Sequence, residues 1–209
     1  MKRKAFTLAE ILIVLAVIGV VATLTLPGLM MNYREKTYIA QLQRTYNSLA
    51  NAAVAQMVAD DVDDLTQSTM TDSRGLEDFI KKNLKVSKDC GGGPGECFAS
   101  SYSSLEKNSS RSPYDLMNQY GSYRNWKCYA LATGSSVCVS TMNWSGSNII
   151  VDTNGQAGPN INGRDFFMFQ LYGDGTMGSS WNGSYSSSCY GFSYGCFGQI
   201  VGRGWKMYY

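Results

Sequence analysis

The sequence predicts an α+β fold: one long amino-terminal helix, then short helices, then an antiparallel sheet. Three observations predict it. An apolar run near the amino end passes without a break into a stretch with helical spacing of its larger side chains. Short strand-like segments separated by Gly, Ser and Asn turns fill much of residues 127–177. All six cysteines lie beyond the apolar run, in the part of the chain that must build a folded head.

The long helix comes first. Residues 11–26 are all apolar or small, and Glu10 is the only charge between residues 6 and 31. A bilayer span needs roughly 20 such residues, so residues 6–31 are long enough. Beyond them, Tyr38, Ile39, Leu42, Tyr46, Leu49, Ala53 and Met57 fall on one helical face. Pro27 lacks an amide donor, so a kink or local melting is expected there. Asp60, Asp61, Asp63 and Asp64 oppose the macrodipole at a helix carboxyl end, which puts the stop near Ala59. These four acids read as a solvated helix end, with a cation site as the alternative.

The shorter elements follow in order. Leu76, Phe79, Ile80 and Leu84 share a face and predict a helix over residues 75–84. Ser112 as N-cap, Pro113 at the first helical position and Asp115 in the first turn predict another, with Gly121 as its stop. Residues 127–133 and 137–142 form a hairpin around a Gly-Ser turn; residues 148–152 and 165–172 are the next strands. Gly173-Asp174-Gly175 turns into a short partner at Thr176 and Met177. Residues 178–198, rich in Gly, Ser and aromatics, read as an irregular loop, and a closing segment ends in Trp205-Lys206-Met207-Tyr208.

Composition excludes several functions. Charged residues make up 16% and hydrophobic ones 44%, so the chain has too little charge to be disordered. The formal charge of +2 gives no basic excess for nucleic-acid binding. There is no histidine, which removes the Ser-His-Asp triad, the Cys-His dyad and histidine metal ligands together. Without Lys2, Arg3 and Lys4 the balance is 15 basic to 16 acidic residues, a net of −1.

Those three cations precede the apolar run and place the amino end in the cytoplasm. The segment then has two plain readings: a secretory signal peptide cut after Val20-Val21-Ala22, or an uncleaved anchor. Glu10 argues against both, because a carboxylate inside an apolar span costs on the order of 2.5–3.5 kcal/mol unless something pairs with it. A cut just before Phe6 would supply a cationic amine about one helical turn away. A neighbouring copy's amine would serve equally.

At Lys2-Arg3-Lys4-Ala5 followed by Phe6-Thr7-Leu8-Ala9-Glu10, the sequence resembles the type IV pilin and pseudopilin family. The resemblance implies cleavage by a prepilin peptidase between Ala5 and Phe6, methylation of the new Phe6 amine, and retention of the apolar helix. It implies a pilin-like layout, with the sheet of the head lying on the second half of the helix. Gly19 and Pro27 fall where many pilin helices carry Gly and Pro. Ala5 departs from the usual Gly but keeps its small size. The implied organisation is a leader over residues 1–5, a long helix over 6–59 with 6–31 in the membrane, and a head over 60–209.

No cysteine pair forms a CxxC and no histidine completes a zinc set, so the even count reads as disulfides formed outside the cytoplasm. Fifteen pairings exist for six cysteines. Local pairing joins Cys90 to Cys97, Cys128 to Cys138 and Cys189 to Cys196; the alternative is a long-range clasp between the Cys90 region and the late loop.

Three features of the head bear on chemistry. Asp152-Thr153-Asn154-Gly155 opens like a calcium loop, with Asp165 as a third ligand after Asp152 and Asn154. The twelfth position, which would need a bidentate Glu, is Gly163. The resemblance adds that several pseudopilins bind calcium in a carboxyl-terminal loop. The competing reading is a turn of Asn-Gly and Gly-Pro, with Arg164 pairing an acid and Asp152 accepting backbone amides. The 14 Tyr, 8 Phe and 4 Trp are core and interface or, alternatively, a platform stacking on sugars or bases. Nothing places two carboxylates on one strand face for glycosidase work.

The resemblance thus implies a filament subunit of a pilus or of a type II secretion pseudopilus. It would wait in the inner membrane with its head in the periplasm, and then enter the periplasmic pseudopilus or surface pilus. Its partners would be related subunits, the prepilin peptidase, the assembly platform and the lipid bilayer, with no nucleic acid and no required cofactor, Ca2+ being an optional one. A tip-located pilin binding a ligand and a membrane-anchored enzyme are the alternatives from other classes.

Overall fold

The structure, a computed structural model, describes residues 7–119, 125–179 and 188–207. The chain divides into two compact units, residues 1–37 and 38–209.

Helix α1 runs Leu8–Asp60 and continues through Pro27. Of the two expectations at Pro27, a kink or local melting, the melting does not occur. Thr23 and Thr25 donate their hydroxyls to the carbonyls of Gly19 and Val21, satisfying polar groups within the helix itself. In the first unit the helix is exposed all round: the 18-residue window that could span a membrane has a mean hydropathy of 2.5 and no buried residue. In the second unit it is one-sided. Leu42, Leu49, Ala52 and Ala53 are buried, while Arg44, Asn51, Val54 and Val58 are exposed.

The helix ends one residue past the predicted stop. Asp61 takes the left-handed conformation (φ 54°), and the Val62 amide reaches back to the Met57 carbonyl. The acids divide their tasks. The Asp60 carboxylate accepts from Gln56 and from the amide and hydroxyl of Thr69, and the Asp64 carboxylate caps the single turn Leu65–Gln67 through Thr66. Asp61 and Asp63 remain exposed.

Helix α2 is Ser73–Asn83, capped by Asp72, whose carboxylate accepts the Arg74 and Gly75 amides. It starts two residues before the predicted helix because the cap is Asp72. It buries Leu76, Phe79 and Ile80. Gly75 lies against the Thr69 turn: a Cβ there would sit 1.9 Å from the Thr69 carbonyl oxygen. Gly75→Ala should therefore cost the head about 1–3 kcal/mol. Urea unfolding of the full chain measures it, and an unchanged midpoint would mean that α2 docks differently.

The strands are β1 (Val86–Asp89), β2 (Tyr102–Ser103), β3 (Ser110–Arg111), β4 (Trp126–Leu131), β5 (Ser136–Ser140), β6 (Ser147–Asp152), β7 (Phe166–Leu171) and β8 (Met177–Gly178). Helix α3 is Pro113–Gln119, with Ser112 and Asp115 exchanging hydrogen bonds as a capping box; Gly121 lies outside the described residues. Helix α4 is Gly195–Gly202. The main sheet has six antiparallel strands in the order β1-β4-β5-β6-β7-β8, and β2 pairs with β3 apart from it.

Alternation along the strands builds a core on each face of this sheet. Val137, Val139, Ile149, Val151, Phe167, Phe169 and Leu171 face Leu42, Leu49, Phe79 and Phe197, so α1, α2 and α4 cover one side. Trp126, Cys128, Cys138, Ile150, Phe166 and Met168 meet Tyr102, Phe98, Leu116 and Met117 on the other. Both faces are covered, which is why β7 reads as an unbroken apolar run, Phe166-Phe167-Met168-Phe169. The fold is α+β and pilin-like: a long apolar amino-terminal helix packed on an antiparallel sheet, with short helices and disulfides.

Three differences from the sequence expectation stand out. Strand β1 and the small β2–β3 sheet were not anticipated. Helix α4 begins inside the stretch 178–198 that was read as irregular and runs past its end, while residues 180–187 of that stretch lie outside the described residues. That helix carries three glycines, so its propensity is poor. Burial of Cys196, Phe197 and Ile200 against the core holds it, with the Phe197 ring stacked on Phe169 at 4.3 Å.

Candidate functional site

The amino-terminal segment is the first candidate. Thr7 stands just before α1 and exchanges hydrogen bonds with Glu10. The Thr7 amide and hydroxyl donate to Glu10 Oε2 at 2.8 and 2.9 Å, and the Glu10 amide donates to Thr7 Oγ1 at 3.3 Å. This is a capping box. It corrects part of the sequence argument: Glu10 is not without a partner inside one chain. Its signal was legible as Thr7-Leu8-Ala9-Glu10, a Thr-x-x-Glu pattern opening an apolar helix. Ala5 and Phe6, the predicted cleavage and methylation positions, lie outside the described residues. From Leu8 to Met31 the large apolar side chains are exposed, Leu24 at 78% among them. Gly19 has nothing within 4 Å of where a Cβ would stand, so this face of the helix is open.

Residues 1–26 match the family model of the prokaryotic N-terminal methylation motif. The chain carries a prepilin-type amino terminus of the type IV pilin and pseudopilin kind. The matched residues cover the basic segment Lys2-Arg3-Lys4, Phe6, the Thr7–Glu10 box and most of the apolar run. No curated protein and no solved structure matches the chain.

The loop between β6 and β7 is the second candidate. Asp152, Thr153 and Asp165 are fully buried. The Tyr102 hydroxyl and the Asn154 amide donate to Asp152. The Asn160 and Ile161 amides donate to Asp165 at 2.7 and 2.8 Å. Asp152 thus accepts backbone amides, as the turn reading expected. Burial, reinforced by the charge of Asp165, pushes the Asp152 carboxyl up to about 8. Burial also raises Asp165.

The donor set of this loop fits a hard cation in kind. Thr153 Oγ1, Asn154 Oδ1 and Asn160 Oδ1 are buried oxygens without a hydrogen-bond partner. Together with the two carboxylates they offer the all-oxygen set that calcium takes. Among the described residues no cluster of three His, Cys, Asp or Glu side chains exists, so the amide and hydroxyl oxygens would have to complete the shell.

The disulfides are Cys90–Cys97, Cys128–Cys138 and Cys189–Cys196, the three local pairs. Cys128 and Cys138 are directly opposed on β4 and β5. Among the described residues Trp126, Tyr102, Tyr129, Phe79, Phe98, Phe166, Phe167, Phe169 and Phe197 are buried in the core. Tyr114, Trp144 and Tyr190 are exposed in the head.

Proposed function

We propose that the protein is the structural subunit of a helical filament, a type IV pilus or a type II secretion pseudopilus, with no catalytic task. A prepilin peptidase removes residues 1–5 and methylates the Phe6 amine. The helix over residues 6–31 holds the subunit in the inner membrane, its head in the periplasm. The assembly platform then passes it into the filament, where Ile11, Leu12, Leu15, Ile18 and Leu24 pack against equivalent helices. One observation carries the reading: a processing motif joined directly to an apolar helix whose large side chains are exposed on every face. Such a surface needs lipid or further copies around it. Shearing producing cells and finding the chain in the filament fraction supports the reading. A chain confined to membranes, with no filament under any inducing condition, contradicts it.

The 152–165 loop supports an addition to this reading, a calcium ion held by Asp152, Asn154 and Asp165, with Thr153 and Asn160 completing the shell. The unpartnered oxygens and the two buried acids favour it. Both acids have raised values in the fold, so the folded head binds more protons than the unfolded chain. Their stabilisation is full below about pH 4 and is lost as pH rises towards 8. Asp60, Asp64, Asp72 and Asp89 are shifted the other way, and their contributions fade only below about pH 4. Without calcium the melting temperature should therefore fall between pH 5 and pH 8. Millimolar calcium should restore it at pH 8 by pairing with the ionised carboxylates, and Asp152→Asn together with Asp165→Asn should remove both responses. A melting temperature at pH 8 that ignores calcium and chelator alike would rule the ion out.

A further inference from the structure

The carboxyl end of α1 borders an open groove of roughly 500 Å³. Its floor is Val54, Met57 and Val58, and its rim is Asp61, Asp63 and Asp174. Val54 and Val58 are 55% and 77% exposed, an unusual place for two valines on the outer face of a docked helix. None of the three rim carboxylates has a cation within 4.0 Å among the described residues. Among the described residues Asp174 accepts from the amide and hydroxyl of Thr176.

The same unit carries the complement at the other end of its stretch of α1. Arg44 is exposed and takes part in none of the described ion pairs. Two residues on, the Tyr46 ring meets the Trp205 ring edge-on at 5.3 Å, which brings the chain at Lys206 to this part of the helix. Lys206 is exposed, flanked by the half-buried Trp205 and Met207. One end is thus apolar with an acidic rim, and the other is apolar with cations. They stand about 25 Å apart along α1, at 1.5 Å per residue, so no single chain can bring them together.

We propose that this groove receives the Arg44 and Lys206 end of a second copy of the chain. The proposal rests on the filament reading and specifies how its heads meet. Different patches meet in this contact, so it is heterologous and open-ended, the kind that propagates along a filament instead of closing a dimer. The rim charges fix which end meets which, since a head turned end for end would oppose like charges.

Charge exchange tests it in the full-length chain. Asp61→Lys with Asp63→Lys, and separately Arg44→Asp with Lys206→Asp, should each lower the yield of sheared filaments about tenfold. All four substitutions together should restore it to within about twofold of the parent. A pair that assembles like the parent, or a fourfold variant no better than the pairs, overturns the proposal; the latter is also what a rim that binds only a cation would give. The milder Asp61→Asn with Asp63→Asn avoids any like-charge clash and guards against misfolding. Its filaments should lose the salt sensitivity of the parent, and unchanged sensitivity also overturns the proposal. If the parent chain makes no filament at all, the underlying reading has failed instead.

Discussion

Replacing Glu10 with glutamine should cut filament assembly about a hundredfold while leaving the first turn of α1 intact. The Thr7–Glu10 box needs an acceptor oxygen and the Thr7 hydroxyl, and a glutamine supplies the same oxygen at the same place. What glutamine removes is the negative charge. In the proposed filament the Phe6 amine and the Glu10 carboxylate would lie in apolar surroundings, where an unpaired charge costs several kcal/mol. A slipped register would leave both unpaired, so the pair selects one register. Glu10→Gln should give a processed, membrane-held chain whose filament yield falls by about two orders of magnitude, a loss of roughly 3 kcal/mol per contact. Glu10→Ala loses cap and charge together and should be no better. If the glutamine variant assembles normally, Glu10 is a helix cap and nothing more, and the charge argument is wrong.

Removing the Cys128–Cys138 bridge gives the largest loss of head stability. The two residues oppose each other in the middle of the main sheet and are buried with Trp126, Ile150 and Phe166. The bridge spans 10 residues, and closing such a loop stabilises by about 2–3 kcal/mol in the chain-entropy model. Cys128→Ala with Cys138→Ala also removes two sulfurs from a packed core, which adds a cavity cost. Urea unfolding of the oxidised chain should show a loss of about 3 kcal/mol or more. A loss below about 1 kcal/mol would mean that the sheet is held by packing alone.

Much of the fold was legible because burial and period agree. The helical spacing from Tyr38 to Met57 predicted the face that α1 buries. Strands β4 to β7 were legible as short β-rich runs between Gly, Ser and Asn turns, and Ser112-Pro113 announced α3 through its cap. What escaped reading was set by tertiary contacts. Helix α4 has Gly195, Gly198 and Gly202, and it forms because Phe197 and Ile200 are buried, not because its residues favour helix. Strand β1 is an edge strand whose Ser87, Lys88 and Asp89 are exposed, so it lacks an apolar pattern; pairing with β4 makes it a strand. At Pro27 the local rule allowed a kink or local melting, and the helix continues without melting.

The candidate sites divide in the same way. The motif at Ala5 to Glu10 was readable because a peptidase recognises sequence, and motif recognition needs no fold. The Thr7 side of the capping box was equally readable from spacing. The burial of Asp152 and Asp165 was not, since it depends on Tyr102 crossing from a separate small sheet to cover the loop. The acidic rim beside Val54 and Val58 needed both the turn at Asp61 and the approach of Asp174, some 110 residues later.

The central claim is that this chain keeps its apolar helix and exposes a new amine at Phe6. Mass spectrometry of the mature protein from its native membrane tests that directly. The account predicts a chain that begins at Phe6 and carries a methyl group on its terminal nitrogen. A mature chain that begins near Thr23, or one that still begins at Met1, would contradict it.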